Sequence, residues 1–370
     1  MTNNSKAAVA LRNVLKTLKA EDLAVSEPPT KVHGMDLDAK ETSAVAFDEE
    51  ATKKLEKQQS ASEDDTHTGN GKKPIKGVIE IPSTYTPLQA AKVLWENNIL
   101  GAPVWDDASK EYWGFFDMRD FTSAIVKSHV ENLKSYDPHD TTQKTTTQEL
   151  LSKWLEEKHV TVKNLSTQNP FISCLPSSSL EEISPHLTEH RCHRIPIMGG
   201  DGKCQSIITQ SALVKAMAEH VEDQEMLETL QQANFPYKKE VVAVKDTTTA
   251  GDVFQLLVNK GLSGIAIVDE ETGKLVGNTS ARDIKLAVVD TSGNASLHMD
   301  ILSYLSAVRQ ATPTKNDKYP TSTVHEDSCT VGHAIRLLAK TGYHRVFVVD
   351  NNSKPIGVIS VADVIRFVVG

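Results

Sequence analysis

The sequence predicts an α+β protein in which one supersecondary unit, strand-helix-strand-strand-helix, occurs four times. The main observation is a short pattern that returns near the end of four successive segments. A strand leads into Ser or Thr, an acidic residue follows three positions later, and a helix then begins. Residues 357–363 and 277–283 hold the clearest copies. Internal repetition of a supersecondary unit indicates the fold before any single residue is interpreted.

The other two copies of this junction pattern are altered. In residues 114–120, Asp117 stands where the hydroxyl is expected, and Asp120 keeps the acidic position. In residues 206–212 no acidic residue is present, and Ala212 takes its place. The junction is therefore better kept in the two C-terminal copies.

The elements upstream of each junction follow one order. In the last repeat a strand at 323–327 precedes a helical stretch at 331–341, and further strands follow at 344–350 and up to residue 360. Short apolar runs rich in Val and Ile, bounded by turn residues, are typical of buried strands, whereas apolar residues three or four apart indicate helices. The third repeat shows the same order between residues 241 and 283.

This order, with a hydroxyl-x-x-acid junction at its end, resembles the cystathionine-β-synthase (CBS) domain. The four repeats are placed at 76–130, 165–220, 238–290 and 318–370. CBS domains pair into Bateman modules. The resemblance therefore implies a first module at 76–220 and a second module at 238–370.

Within the CBS proteins, the chain resembles the γ regulatory subunits of the AMP-activated protein kinase (SNF1-related kinase) family. Residues 192–197, 343–350 and 102–106 carry this resemblance. It implies a regulatory subunit that senses an adenine nucleotide (AMP, ADP or ATP) in a complex with the catalytic and scaffold subunits of a protein kinase. The alternative is a stand-alone CBS adaptor that binds an adenosyl ligand, or none, and regulates another target.

The composition is that of an intracellular globular protein. The formal net charge of −9 argues against nucleic acid as a partner, because such binding relies on basic surfaces. No apolar stretch reaches the roughly 20 residues that a membrane-spanning helix needs. The four cysteines are scattered without metal-ligand spacing, and we interpret them as free thiols in a reducing cytosol. We therefore expect no membrane contact and a cytoplasmic protein, with the nucleus as a second compartment.

Residues 1–75 differ from the repeats. Apolar spacing over residues 11–23 predicts a short helix that could dock on the first module. Residues 26–73 are polar and mixed in charge. They are expected to be disordered, because they bury too little apolar surface to offset the entropy of chain ordering. A second polar insertion, at 134–149, separates the first two repeats.

The strand-to-helix junction has two open interpretations. A helix N-terminus exposes N–H groups that suit a phosphate, and a carboxylate one turn later can accept hydrogen bonds from the vicinal hydroxyls of a ribose. The alternative is a capping box, in which the hydroxyl and the acid bind only the backbone of their own helix. The resemblance to the γ subunits implies ribose contacts for Asp120, Asp283 and Asp363.

Two His-Arg pairs begin equivalent strands, His193 with Arg194 in the second repeat and His344 with Arg345 in the fourth. One interpretation is a polar strand end in contact with water. The other is a phosphate clamp, because Arg offers a planar fork of donors and His adds a donor or a stacking face. The resemblance implies the phosphate role.

The resemblance extends to hydroxyl groups of the second module. It implies phosphate or ribose contacts for Ser263 and Ser360, and adenine-side or phosphate contacts for Thr247 or Thr249. No catalytic residue, metal ligand or cofactor is predicted, because no nucleophile elbow, P-loop or paired His or Cys spacing stands out. The predicted nucleotide-binding residues are Thr247, Thr249, Ser263, Ser280, Asp283, His344, Arg345, Ser360, Asp363, His193, Arg194 and Asp120.

Three positions of the first module depart from the γ-subunit pattern. Leu100 stands where those subunits place Arg, Ala212 stands where they carry a basic residue, and Asp117 replaces the usual hydroxyl. A carboxylate at position 117 would repel a phosphate. We therefore expect nucleotide in the second module, and a first module that binds it weakly or stays empty.

Overall fold

A computed structural model describes residues 3–24, 77–133, 146–169, 171–189, 192–237, 240–289, 296–311 and 323–370. The predicted disorder over 26–73 and the first part of the polar insertion, residues 134–145, lie outside the described residues. In the described part of the chain the predicted α+β fold is confirmed, and all four repeats end on a strand-to-helix junction.

Two helices precede the repeats, α1 (Lys6–Thr17) and the short α2 (Ala20–Ala24). Helix α1 begins before the predicted start at Leu11 because Ser5 accepts a hydrogen bond from the Ala8 N–H and caps it. The small side chains that follow the cap join the buried face. This helix packs on the core of repeats two and four, so it contacts both modules and not the first alone.

The first repeat contains a three-stranded sheet and two helices. Strand β1 (Ile81–Pro82) pairs with β2 (Gly101–Asp106) in parallel, and β2 pairs with β3 (Glu111–Asp117) antiparallel, so the helix between β1 and β2 is a crossover. Two further helices, α5 (Thr147–Glu157) and α6 (Val162–Ser166), lead to the second repeat. The elements of the first repeat are β1 (Ile81–Pro82), α3 (Pro87–Glu96), β2 (Gly101–Asp106), β3 (Glu111–Asp117) and α4 (Met118–Leu133).

The second repeat is reduced. A single parallel bridge between Cys174 and Ile197 stands where the first strand of the other repeats pairs, so the sheet has two strands. A 3₁₀ turn, Asp223–Met226, follows its last helix. The elements of this repeat are α7 (Leu180–Ile183), a 3₁₀ turn (Ser184–Thr188), β4 (Arg194–Met198), β5 (Cys204–Thr209) and α8 (Gln210–His220).

Repeats three and four have the strand pairing of the first, with one parallel and one antiparallel pair in each sheet. The third repeat consists of β6 (Ala243–Lys245), α9 (Ala250–Asn259), β7 (Gly264–Val268), β8 (Leu275–Ser280), a 3₁₀ turn (Ala281–Ile284) and α10 (Lys285–Val289), followed by α11 (Ile301–Ala311). The fourth consists of β9 (Thr323–His325), α12 (Val331–Thr341), β10 (Arg345–Val349), β11 (Pro355–Ser360) and α13 (Val361–Val369).

The apolar side chains form two cores, and each core is shared between the modules. One core joins repeats one and three, where α4 packs on α9. The other joins repeats two and four, where α8 packs on α12 and α13. Phe121 and Phe254 are fully buried in the first core, and Leu213 and Ile335 in the second. Because the helices bury their apolar faces against the opposite module, both cores depend on both modules.

Within each module, the repeats contact one another through their sheets. The ring of Tyr112 stacks on Phe171 with centroids 4.9 Å apart, and its hydroxyl accepts a hydrogen bond from the Cys204 N–H at 3.0 Å. In the second module the Leu275 N–H donates to the Ser353 carbonyl at 2.9 Å. Sheets therefore hold each module together, and helices hold the two modules against each other.

The shared cores predict that both modules unfold in one transition. Phe254→Ala, in the third repeat, should lower the free energy of unfolding by about 3–5 kcal/mol, the range for removing a buried aromatic ring. All four tryptophans lie between residues 95 and 154, in the first module. Tryptophan fluorescence and far-ultraviolet circular dichroism should therefore shift together in denaturant.

The matched control is Val276→Ala, at a side chain that is 45% exposed in the same repeat. It should change stability by no more than about 0.5 kcal/mol, as is usual for surface substitutions. A tryptophan transition that stays at its wild-type midpoint in Phe254→Ala would mean that the modules unfold independently.

Candidate functional site

The candidate site begins with the register of the strands that precede each junction. In each repeat, the last residue of the strand that precedes the junction lies opposite the first residue of its antiparallel neighbour. In repeats one and three that first residue is glycine, and in repeats two and four it is arginine. The four pairs are Gly101 with Asp117, Arg194 with Thr209, Gly264 with Ser280, and Arg345 with Ser360.

Each arginine lies over the glycine of the other repeat in its module. A Cβ on Gly101 would lie 2.9 Å from Cζ of Arg194, and a Cβ on Gly264 would collide with the guanidinium of Arg345. Glycine leaves room for each guanidinium, which a larger residue at either position would displace. The fold thus places an arginine over a glycine at equivalent positions of both modules.

These two sites are named by their arginines. The first arginine site consists of Gly101, Asp117, Arg119, Asp120 and Arg194. The second arginine site consists of the equivalent residues Gly264, Ser280, Arg282, Asp283 and Arg345.

In the second arginine site, Arg345 is only partly compensated by neighbouring charge. Its Nη2 donates to the Ser263 hydroxyl at 2.5 Å. Desolvation lowers the pKa of Arg345 to about 10, and the negative charge of Asp283 opposes that shift. The guanidinium stays protonated at neutral pH, so a half-buried cation lies beside a serine hydroxyl.

The aspartates of the second module make the contacts of a capping box. Oδ2 of Asp283 accepts hydrogen bonds from the Ser280 N–H at 2.7 Å and from its hydroxyl at 3.1 Å. Oδ2 of Asp363 accepts them from the Ser360 N–H at 2.9 Å and from its hydroxyl at 2.7 Å. The capping interpretation therefore holds at both junctions, and the ribose role stays a prediction that would add to it.

In the first arginine site, Asp117 is a buried carboxylate held by two arginines. Its Oδ2 accepts a hydrogen bond from Nη1 of Arg194 at 2.6 Å, and its Oδ1 accepts one from Nε of Arg119 at 2.9 Å. Burial alone would raise the pKa of Asp117, but the charges of Arg119 and Arg194 outweigh it and hold that pKa well below its usual range. Asp117 would thus oppose phosphate binding in two ways. Its negative charge repels a phosphate, and its ion pair with Arg194 engages the side chain that would otherwise bind one.

The remaining predicted residues of the first module are also buried or crowded. Nδ2 of Asn169 donates to Oδ2 of Asp120 at 2.5 Å. The ring of His193 contacts Arg119. Desolvation and the positive charge of Arg119 lower the pKa of His193 to about 4, so the ring is neutral at pH 7.

Charges from several repeats converge on His344. Desolvation, Arg345, Arg194 and Arg282 lower its pKa to about 4, although its surface remains exposed to solvent. The first and third junctions also touch, because the Thr122 hydroxyl donates to the Ala281 carbonyl at 3.0 Å. The predicted His-Arg pairs of the second and fourth repeats therefore lie in one basic cluster, together with the arginines of the other junctions.

Two predicted residues have other partners. In the described part of the chain, the Thr247 hydroxyl donates to Glu270 at 3.1 Å, and the Thr249 hydroxyl donates to Asp252 at 2.6 Å and caps α9. The structure does not link these two hydroxyls to the arginine cluster. Their predicted role at the adenine or phosphate stays a prediction.

The sequence interpretation missed Arg119 and Arg282. Each stands two residues after the last strand residue, inside the hydroxyl-x-x-acid pattern itself. The recurrence of Arg at this position in repeats one and three is a signal that the sequence contains. Among the described residues, no group of His, Cys, Asp and Glu is arranged to hold a metal ion, and none of the helices has the length and apolar character needed to cross a membrane.

Comparison with known proteins identifies the repeats. A family model of the CBS domain matches residues 162–219, 237–290 and 319–370. The stretch at 76–130, which this match leaves out, has the strand pairing of repeats three and four. A crystal structure from Methanocaldococcus jannaschii, of a proposed archaeal homologue of γ-AMPK, has the same fold, with a TM-score of 0.55 at 17% identity over 80% of this chain and 97% of that one.

Curated relatives extend the similarity over most of the sequence. The γ subunit of 5′-AMP-activated protein kinase from Kluyveromyces lactis is 23% identical over 79% of this chain and 85% of its own length. The corresponding Saccharomyces cerevisiae subunit is 25% identical over 79% of this chain and 86% of its own length. The chain therefore contains CBS domains at these three stretches and a further repeat with the same strand pairing, and it resembles the γ subunits of the AMP-activated protein kinase family.

Proposed function

We propose that the chain is an adenine-nucleotide-sensing, γ-like regulatory subunit of a SNF1- or AMP-activated-type protein kinase complex. The observation that best supports this is Arg345, a half-buried cation that lies over Gly264 and is bonded to a serine hydroxyl. The names of the relatives, γ subunits of 5′-AMP-activated protein kinase, support AMP as the ligand and a kinase complex as the partner.

A phosphate suits the second arginine site on electrostatic grounds. A guanidinium forms strong, charge-assisted hydrogen bonds with phosphate oxygens, and these gain strength where water is partly excluded. The chain carries a formal charge of −9, so this cluster is a locally positive region on a protein whose net charge is negative. Such a local positive region attracts anions selectively. In this proposal Arg345 and His344 hold the phosphate, and the hydroxyls of Ser263 and Ser360 add donors.

The ribose and the base would lie against the junctions. The carboxylates of Asp283 and Asp363 already accept hydrogen bonds from serine groups, and vicinal ribose hydroxyls are donors of the same kind. Thr247 or Thr249 is proposed to contact the adenine side or the phosphate. Either would have to exchange its present carboxylate partner for the ligand.

A second candidate function is a stand-alone CBS adaptor that binds an adenosyl ligand, or none. The first arginine site favours it, since Asp117 there occupies Arg194 with an internal ion pair. Purification from the native cell, with identification of the co-purifying chains, separates the two. Catalytic and scaffold kinase subunits would support the γ-like function, and their absence from a stable native assembly would support the adaptor.

Arg345→Ala tests the phosphate role. It should weaken AMP binding by about 1.5–3 kcal/mol, the range for hydrogen bonds to charged groups. The measurement is calorimetric titration, supported by the thermal shift that a ligand of the folded state produces. The matched control is Arg336→Ala, which removes the same charge from α12, where Arg336 pairs with Asp223. Equal affinities of Arg345→Ala and the wild type, or a wild type without heat or thermal shift at millimolar AMP, would contradict the proposal.

Asp363→Ala separates ribose binding from capping. Loss of the capping box should lower the stability of the free protein by about 1 kcal/mol. If Asp363 also holds the ribose, the variant should no longer prefer AMP over 2′-deoxy-AMP, a preference that the wild type should show. Thr86→Ala is the control, because it removes a capping box in the first repeat. An unchanged preference in Asp363→Ala would assign this residue to capping alone.

A further inference from the structure

The two arginine sites differ in charge at one position. Both contain a glycine under an arginine from the other repeat of the module, an arginine two residues after the strand end, and an aspartate after that. The strand-end residue is Asp117 in the first site and Ser280 in the second. The two modules can therefore be compared directly at this position, because one has a carboxylate there and the other a hydroxyl.

We propose that Asp117 is an internal anion that takes the position of a ligand phosphate in the first arginine site and keeps that site closed to phosphate-bearing ligands. The inference rests on the proposed function in one respect, because it takes the second arginine site as the one that binds an external phosphate. It adds a reason why one chain would hold an open site and a closed site at equivalent positions of its two modules.

The contacts of Asp117 are those that a phosphate would make. Besides the bonds to Nη1 of Arg194 and Nε of Arg119, its Oδ2 accepts from Nη2 of Arg119 at 3.3 Å, and its Oδ1 accepts from the Arg119 backbone N–H at 2.8 Å. Asp117 is 3% exposed. Two guanidinium groups and a backbone amide around one buried oxyanion are a donor set typical of phosphate binding.

The second arginine site has no carboxylate at the strand end. Ser280 brings no charge to the position opposite Gly264, and its hydroxyl is bonded to Asp283. Arg345 reaches instead to Ser263, a neutral partner. Arg194 forms a buried ion pair with Asp117. Arg345, in contrast, is bonded to a serine hydroxyl and Asp283 offsets its charge only in part, so an external anion gains more in the second site than in the first.

Exchanging the two strand-end residues tests the inference. Asp117→Ser gives the first site the charges of the second, and it should bind one AMP per chain more than the wild type in calorimetric titration. Inorganic phosphate should also raise its melting temperature more than it raises that of the wild type, because an anion again compensates Arg119 and Arg194. Ser280→Asp places a carboxylate beside Arg345, and it should weaken AMP binding at the second site by about tenfold or more.

Two further variants keep the test decisive. Asp117→Asn preserves the shape of the side chain and should show the same phosphate response if Asp117→Ser does not fold. The double variant Asp117→Ser with Arg194→Met lacks the cation and should lose the gained binding. A folded Asp117→Ser or Asp117→Asn protein with wild-type AMP stoichiometry and wild-type phosphate response would overturn the inference, as would a gain that survives Arg194→Met.

The phosphate measurements also separate this inference from the proposed function. A wild type that binds no AMP would contradict the proposed function. Stabilisation of Asp117→Ser by inorganic phosphate in the same series would still support the role of Asp117. A response to AMP without one to inorganic phosphate would support a site that needs the nucleoside as well as the phosphate.

Discussion

The rest of the structure depends on the burial of helix faces between the two modules. Phe121 packs in the core that the first repeat shares with the third, and Leu213 packs in the core that the second repeat shares with the fourth. In each repeat, the last strand of the sheet ends where the following helix or 3₁₀ turn begins. Packing the helices of one module on those of the other therefore brings the strand-to-helix junctions toward one region, and the charged groups of the junctions come together as a consequence of hydrophobic burial.

That convergence has an electrostatic cost, and the chain reduces it in two ways. Desolvation and neighbouring cations hold the pKa values of His193 and His344 near 4, so the imidazoles add no charge at neutral pH. The carboxylates of Asp117 and Asp283 offset part of the arginine charge. What remains is a positive region that an anionic ligand would stabilise further, and this links the energetics of the fold to the proposed ligand.

Close approach of the backbone makes the arginine positions possible. Gly101 and Gly264 open the β2 and β7 strands, and a side chain at either would enter the space of a guanidinium from the other repeat of the module. Sequence periodicity gives no reason for these glycines, since strands rarely favour glycine. The reason becomes visible only once Arg194 and Arg345 are placed over them.

The sequence by itself determined the repeated unit, the order of its strands and helices, and the positions of Arg194 and Arg345 at strand starts, because these follow from local periodicity and from residues adjacent in the chain. It did not decide whether the junction aspartates cap their helices or bind a ligand, since both roles use the same residues at the same spacing. The tertiary structure alone decided which repeats share a core, and that α1 joins the core of repeats two and four. It also decided the environment of Asp117, because its partner Arg194 is 77 residues away and no local pattern relates the two.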